Sequence, residues 1–432
     1  MPAKLIYRTA KRRLQILALK IPRGQLAQNT LLSLFWQGMR VLFLLIWIVF
    51  LARLLGAEGY GVFSGVAGLA VILGSFSGLG LGLLMYQDTV INPDVFADRW
   101  GDALWATILG GCSFFAVFIA ISIAVFPLIQ VQTLVAIGLA ELVFFPLVTT
   151  SAYAFASKIR IGWSSALPSL VAFLRCISIA IFAATDVPKD FDNYVWFHLL
   201  ATVMSSLIIV FLVKSILKPE FKPYTLNVAK LRKGIVFCFS WASTSALTSA
   251  DKTSVLKIGG GEMAGLYSSS YRIASIFLLP IDALVNAAVP RLFLQGSEKH
   301  GNSTIVSYVF IALLAYSVLA GLVLLTLPEF IVWVLGPSFV MAAAVIKWFS
   351  LLIPCYAMRT FSTQILLTSG NVRLKVIVEI SGLVLLILLG LLLIPLYGLI
   401  GATFMIIVTE AIVALTCWLM ILGTQRSQTD TG

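Results

Sequence analysis

Apolar residues in this chain form solid blocks rather than stripes or alternations, and short polar or glycine-containing joints divide them. A block of about 20 apolar residues crosses a hydrocarbon core about 30 Å thick as one helix. The first six blocks fall at 30–52, 61–87, 101–126, 130–156, 163–185 and 193–217. The other six fall at 234–257, 264–290, 303–327, 341–368, 374–395 and 398–422. The pattern predicts an all-α integral membrane protein of about twelve transmembrane helices. The seventh block is the weakest, because Ser240, Ser243, Thr244, Ser245, Thr248 and Ser249 dilute it. No joint is long enough for a soluble domain; the largest, 218–233, is a short basic loop.

Composition points the same way. Hydrophobic residues make up 60% of the 432 positions and charged ones 11%, whereas a soluble chain is about one quarter charged. The net charge of +12 would raise nucleic-acid binding on a soluble protein, but here the basic residues sort by side. The N-terminal arm carries Lys4, Arg8, Lys11, Arg12, Arg13, Lys20 and Arg23, and the central joint carries Lys214, Lys218, Lys222, Lys230, Arg232 and Lys233. Even-numbered joints add Arg99, Lys158, Arg160, Arg291, Lys299, Arg373 and Lys375; odd-numbered joints hold only Arg53, Lys189 and Lys257. This bias places both termini in the cytoplasm and favours contact with anionic lipid. The acidic stretch with Asp88, Asp94, Asp98 and Asp102 runs against it and reads as a solvated loop. The arm is too basic and its following helix too long for a signal peptide. Cys112, Cys176, Cys238, Cys355 and Cys417 all lie inside blocks without CxxC spacing, and read as small buried hydrophobes.

A repeat gives the chain its organisation. Gly56-Ala57-Glu58-Gly59-Tyr60-Gly61-Val62-Phe63-Ser64 and Gly260-Gly261-Glu262-Met263-Ala264-Gly265-Leu266-Tyr267-Ser268 share the pattern G-x-E-x-x-G-x-[FY]-S, with Arg53 and Lys257 at the same offset before them. Six helices separate the copies, so the repeat is parallel. The chain thus divides into a basic arm (1–29), a first six-helix lobe (30–217), a basic linker (218–233), a second lobe (234–422) and a tail (423–432). The motif itself reads as a tight turn and a helix-packing device.

Charge inside a membrane usually faces a cavity or a partner. The blocks contain Arg40, Arg175, Lys252, Arg272, Lys347 and Arg359, with the acids Glu141, Asp251, Asp282, Glu379 and Glu410. Helical spacing groups Asn29, Ser33, Gln37 and Arg40 on one face of helix one. It groups Ser240, Thr244, Thr248 and Asp251 on helix seven, and Arg272, Ser275, Asp282 and Asn286 on helix eight. Lipid offers these stripes no partner, so they are expected to face one another or water in a central cavity. Arg40, Arg175, Arg272, Lys347 and Arg359 are the candidate substrate-binding cations, which suit phosphate or carboxylate. Asp251, Asp282, Glu141 and Glu410 are candidates for coupling or charge pairing. Lys252 and Lys347 are also placed to snorkel, and Glu379 to pair with Lys375 at a helix end. Pro354, between Lys347 and Arg359, marks a kink.

Other chemistries lack their residues. No GxxxxGK[ST] or G-x-S-x-G occurs, and His198 and His300, the two histidines, share no metal spacing. No cofactor or metal is expected, and transport must draw on an ion gradient, a membrane potential or substrate flux.

The segments Ala52–Gly56 and Tyr60–Phe63, Asp251 with Gly265–Ala274, Pro290-Arg291 and Leu393–Ala402 resemble the polysaccharide and lipid-linked oligosaccharide flippases of the multidrug/oligosaccharidyl-lipid/polysaccharide exporter superfamily. The resemblance runs from about 29 to 422. It implies two six-helix lobes around a V-shaped cavity and a non-enzymatic transporter. By alternating access, such a transporter moves undecaprenyl-pyrophosphate-linked oligosaccharide (an O-antigen, exopolysaccharide or capsule repeat unit) across the bacterial inner membrane. The implied partners are that anionic glycolipid, membrane lipids and glycan polymerase or assembly proteins, with no nucleic acid. Arg272 lies inside a matching motif; the other four cations are carried by burial and stripes. A small-molecule or drug exporter of the same superfamily is the alternative, and a membrane glycosyltransferase or polymerase a more distant one.

Overall fold

The computed structural model describes residues 25–219, 228–296, 303–326 and 328–429. Most of the basic arm, half of the linker, and His300 lie outside them. The regular structure of the described residues is entirely helical. Seven helices are long and apolar enough to cross a membrane, and two bent pairs raise this to nine. Three of the nine, Gln25–Gly74, Val228–Ile276 and Val372–Thr429, reverse direction internally. Counting each of these as two gives the twelve crossings that the apolar blocks predict.

The reversals have a common cause. Gly56, Gly260 and Gly398 have φ of 68°, 82° and 57°, the left-handed region that side chains with a Cβ resist by about 1–2 kcal/mol. Contacts across each turn show the chain folding back. The Trp47 and Phe63 rings lie 5.7 Å apart, where a straight helix would separate them by about 24 Å. Tyr267 Oη donates to Asp251 Oδ2 at 2.7 Å. A side chain added at Gly382 would meet Val413.

Prolines break two further spans. The eighth passes from Val228–Ile276 into Leu279–Gly296 with a 49° bend, and the tenth from Val340–Phe349 into Leu352–Thr368 with a 54° bend. A proline ring clashes with the carbonyl four residues earlier. For Pro280 and Pro354 those carbonyls belong to Ile276 and Ser350, where each first segment ends. The second span breaks at residues 75–80 and resumes as Leu81–Ile91.

The serine-rich seventh block is helical throughout, because its hydroxyls find partners. Ser243 and Thr244 donate to the Glu379 carboxylate at 2.5 and 3.0 Å, and Lys375 Nζ reaches Thr244 Oγ1 at 3.0 Å. Glu379 and Lys375 are buried and 3.2 Å apart. This polar joint ties span seven to span eleven.

The acidic stretch is not the solvated loop expected of it. Arg99 Nε sits 2.6 Å from Asp88, and Lys230 Nζ, from the start of span seven, is 2.7 Å from a buried Asp102. Asp88 and Asp102 thus neutralise basic residues, while Asp94 stays exposed. The cysteines meet expectation only in part: Cys238 and Cys417 are buried, Cys176 and Cys355 are half-buried and Cys112 is exposed; all five are free thiols.

Candidate functional site

Spans one, two, seven and eight meet between the two halves and enclose a cavity of about 300 Å³. The first half contributes Trp47, Tyr60, Phe63, Ala67 and Gly68; the second contributes Thr248, Ser249, Lys252, Tyr271, Arg272 and Ser275. One wall is therefore aromatic and small, the other hydroxylated and cationic. Trp47 is held in that wall by donating its Nε1–H to Tyr194 Oη at 2.6 Å. Thr253 donates to the Gly65 carbonyl at 2.9 Å, and this close approach keeps the two halves in register beside the cavity.

The five candidate cations are not brought together. Arg272 lines the cavity, and among the described residues no acid lies in salt-bridge contact with it. Arg175 is buried inside the first half and donates to Glu141 Oε1 at 2.7 Å and to Thr202 at 3.3 Å. His198 Nε2 reaches the same Glu141 oxygen at 2.9 Å. Glu141 is presented from a one-turn π-helix, Leu139–Phe144, a local widening that often marks a functional position. Arg359 is buried in the second half against Glu410. Arg40 and Lys347 are exposed, on different helices of different halves. Two of the five candidate cations are thus neutralised by buried carboxylates before any ligand arrives.

The candidate acids likewise find separate partners. Asp251 is fully buried, accepts from Tyr267 and lies 2.9 Å from Lys252 Nζ. Asp282 accepts from Tyr356 Oη at 3.0 Å. The stripe on helix one turns inward at Ser33, which meets Ser165 of the fifth span at 2.6 Å. The stripes of helices seven and eight reach the cavity at Thr248, Arg272 and Ser275. Lys252, assigned from sequence to either cavity or interface, is in the cavity wall, 4.1 Å from the Tyr271 ring centroid. The aromatic wall is not legible in the sequence: a tryptophan in an apolar block looks like core until the hairpin pairs it with Phe63. A larger groove of about 790 Å³, lined by Phe310, Pro354, Met358 and Trp418 among others, carries no lysine, arginine or acid.

The described residues hold no group of three or more His, Cys, Asp or Glu placed for a metal.

A family model described as "Polysaccharide biosynthesis protein" matches residues 26–295, more than half of the chain. The chain belongs to this family. No curated protein matches its sequence, but solved structures share its fold. An inward-facing multidrug resistance MATE family transporter of the MOP superfamily superposes with TM-score 0.73 at 14% identity, covering 93% of this chain and 99% of that one. An outward-facing one gives 0.64 at 14%, covering 95% and 98%. A MOP superfamily transporter from Pyrococcus furiosus, described by the reverse polarity of its binding pocket, gives 0.62 at 13%, covering 94% and 95%. This polysaccharide biosynthesis family member therefore has the two-lobed, multi-pass fold of a MOP-superfamily transporter.

Proposed function

We propose that the chain is a non-enzymatic flippase. It moves an undecaprenyl-pyrophosphate-linked oligosaccharide from the cytoplasmic to the outer leaflet of a bacterial inner membrane, with both termini cytoplasmic. The observation that carries this reading is Arg272, an arginine in the wall of the inter-lobe cavity that meets no acid among the described residues. A guanidinium held in such a place attracts an anion, and its planar fork suits phosphate oxygens. Lys252 adds a second positive group to the same wall, although Asp251 offsets it. The aromatic wall opposite supplies ring faces suited to the apolar faces of sugar rings. Family membership agrees with a glycan cargo. A cationic drug would meet Arg272 as a like charge, so export of such compounds is the weaker reading.

Arg40 stands exposed on helix one and is assigned to the approach to the cavity. Arg175 and Arg359, with Glu141 and Glu410, are assigned to holding the two halves rigid. Asp251 and Asp282 are assigned to charge pairing in the second half.

The test is depletion of the protein in its host. Lipid-linked oligosaccharide is expected to accumulate on the cytoplasmic leaflet, read by its protection from an added glycan-binding probe in intact spheroplasts. Normal surface exposure of the glycolipid after depletion would overturn the flippase reading.

A further inference from the structure

The repeat that organises the sequence does more than turn the chain. Call the side of the bundle opposite the chain ends the far face. Gly56 and Gly260 lie there, and the two hairpins they form are packed against each other. A Cβ added to Gly61 would run into the backbone of Gly261 and Gly265, and one added to Gly265 into the backbone of Ala57. One added to Gly261 would meet Glu58 and Val62. Ala57 and Gly261 are equivalent in the repeat, as are Gly61 and Gly265, so each contact is the mirror of the other under exchange of the halves. The joint is locally two-fold.

The basic residues before each motif obey the same exchange. Arg53, of the first half, donates from Nε to the Val334 carbonyl at 2.7 Å and from Nη2 to the Trp333 carbonyl at 2.9 Å. These carbonyls end the helix Pro328–Leu335 of the second half. Lys257, its equivalent in the second half, donates to the Val125 carbonyl at 2.7 Å. Val125 is the last residue of the helix Phe96–Val125 in the first half. Cations at helix C-termini satisfy the orphan carbonyls and complement the negative end of the helix dipole. Lys189, the remaining cation of the odd-numbered joints, also caps a helix end, but within its own half, donating to Phe182 and Thr185. The three cations of the odd-numbered joints are each committed to a helix end, and two of the three reach across the interface.

We propose that the two repeat copies are the halves of a reciprocal latch. Each half supplies a cation that caps a helix of the other, the small residues close the backbones together, and the latch must part whenever the cavity opens to the far face. Ser64, in the cavity wall, lies about one helical turn from Gly61, so the joint adjoins the cavity along the first hairpin. The inference rests on reading the chain as a transporter that opens to both sides, but its test uses no substrate. It stands or falls whatever the cargo is.

The test is labelling of Ser64→Cys with a membrane-impermeant maleimide, applied from the far face in proteoliposomes of known orientation, with the reaction of the parent chain subtracted. Losing the charge-assisted hydrogen bonds of the latch, two at Arg53 and one at Lys257, is expected to raise the rate at least about tenfold in Arg53→Gln or Lys257→Gln. The double variant is expected to multiply the two factors, as for independent sites. Arg53→Lys and Lys257→Arg are expected to restore the parent rate. Lys189→Gln, which loses a cap without touching the interface, is expected to leave it unchanged. Parent-rate labelling in the folded double variant would overturn the latch. So would an equal rise in Lys189→Gln, or new labelling of the fully buried Cys417, since either means that lost caps merely loosen the bundle.

Discussion

The two halves use one hairpin plan and fill it with different chemistry. In the first, the hairpin at Gly56 is closed by the Trp47 and Phe63 rings. In the second, the equivalent positions are Asp251 and Tyr267, joined by a hydrogen bond. The exchange of an aromatic pair for an acid and a phenol changes what each half offers the cavity. Asp251 brings Lys252 beside it, and Arg272 takes the place that Gly68 holds in the first half. The cavity is therefore charged from one side only. Charge also occurs deep in the first half, at Arg175, Glu141 and His198, but there it is consumed in an internal network behind the aromatic wall. Burial of a charge is thus a poor guide to its use; whether it already has a partner is a better one.

The largest effect should come from unpairing the buried charges. Glu410→Ala strands Arg359, and loss of one partner of a buried pair typically costs about 3–5 kcal/mol. Glu141→Ala should cost less, because Thr202 still accepts from Arg175. Thermal unfolding of the purified variants in detergent reads both, and the opposite order would break the proposed difference between the halves. Next come the small residues of the joint. Gly61→Ala and Gly265→Ala each force a backbone shift, an overpacking penalty of about 1–3 kcal/mol. The two penalties should agree within about 0.5 kcal/mol if the joint is two-fold, and a wide gap between them would show that one half alone sets the packing. The smallest effect belongs to Lys347→Ala. That side chain is exposed, and surface changes usually stay within about 0.5 kcal/mol. Reconstituted transport should remain within about twofold of the parent; a large loss would place Lys347 on the substrate path.

Much of this architecture was legible in the sequence because membranes enforce simple rules. Apolar block lengths report crossings, and the repeated G-x-E-x-x-G reports the matching hairpins. Pro354, read as a kink, lies just after the break it causes, whereas Pro280, which does the same in span eight, is not read as one. What the blocks do not report is the partner of each charge. Arg175 and Arg272 look alike in sequence, each a lone arginine in an apolar helix. Only the fold sets Glu141 and His198 around the first and, among the described residues, brings no acid to the second. The acidic stretch misled for the same reason, since Asp102 meets Lys230 from a distant part of the chain. Asp251 was visible as the end of a polar stripe, whereas Trp47, its equivalent in the other half, was hidden by its own apolarity.

The claim that matters most is that Arg272 meets the anionic head of a glycolipid. Reconstituted flipping of undecaprenyl-pyrophosphate-linked oligosaccharide by Arg272→Ala, compared with the parent and with Arg272→Lys, tests it most directly. Loss of transport in Arg272→Ala, partial recovery in Arg272→Lys and unchanged thermal stability in both are the predicted results. Flipping at the parent rate by Arg272→Ala would contradict the account.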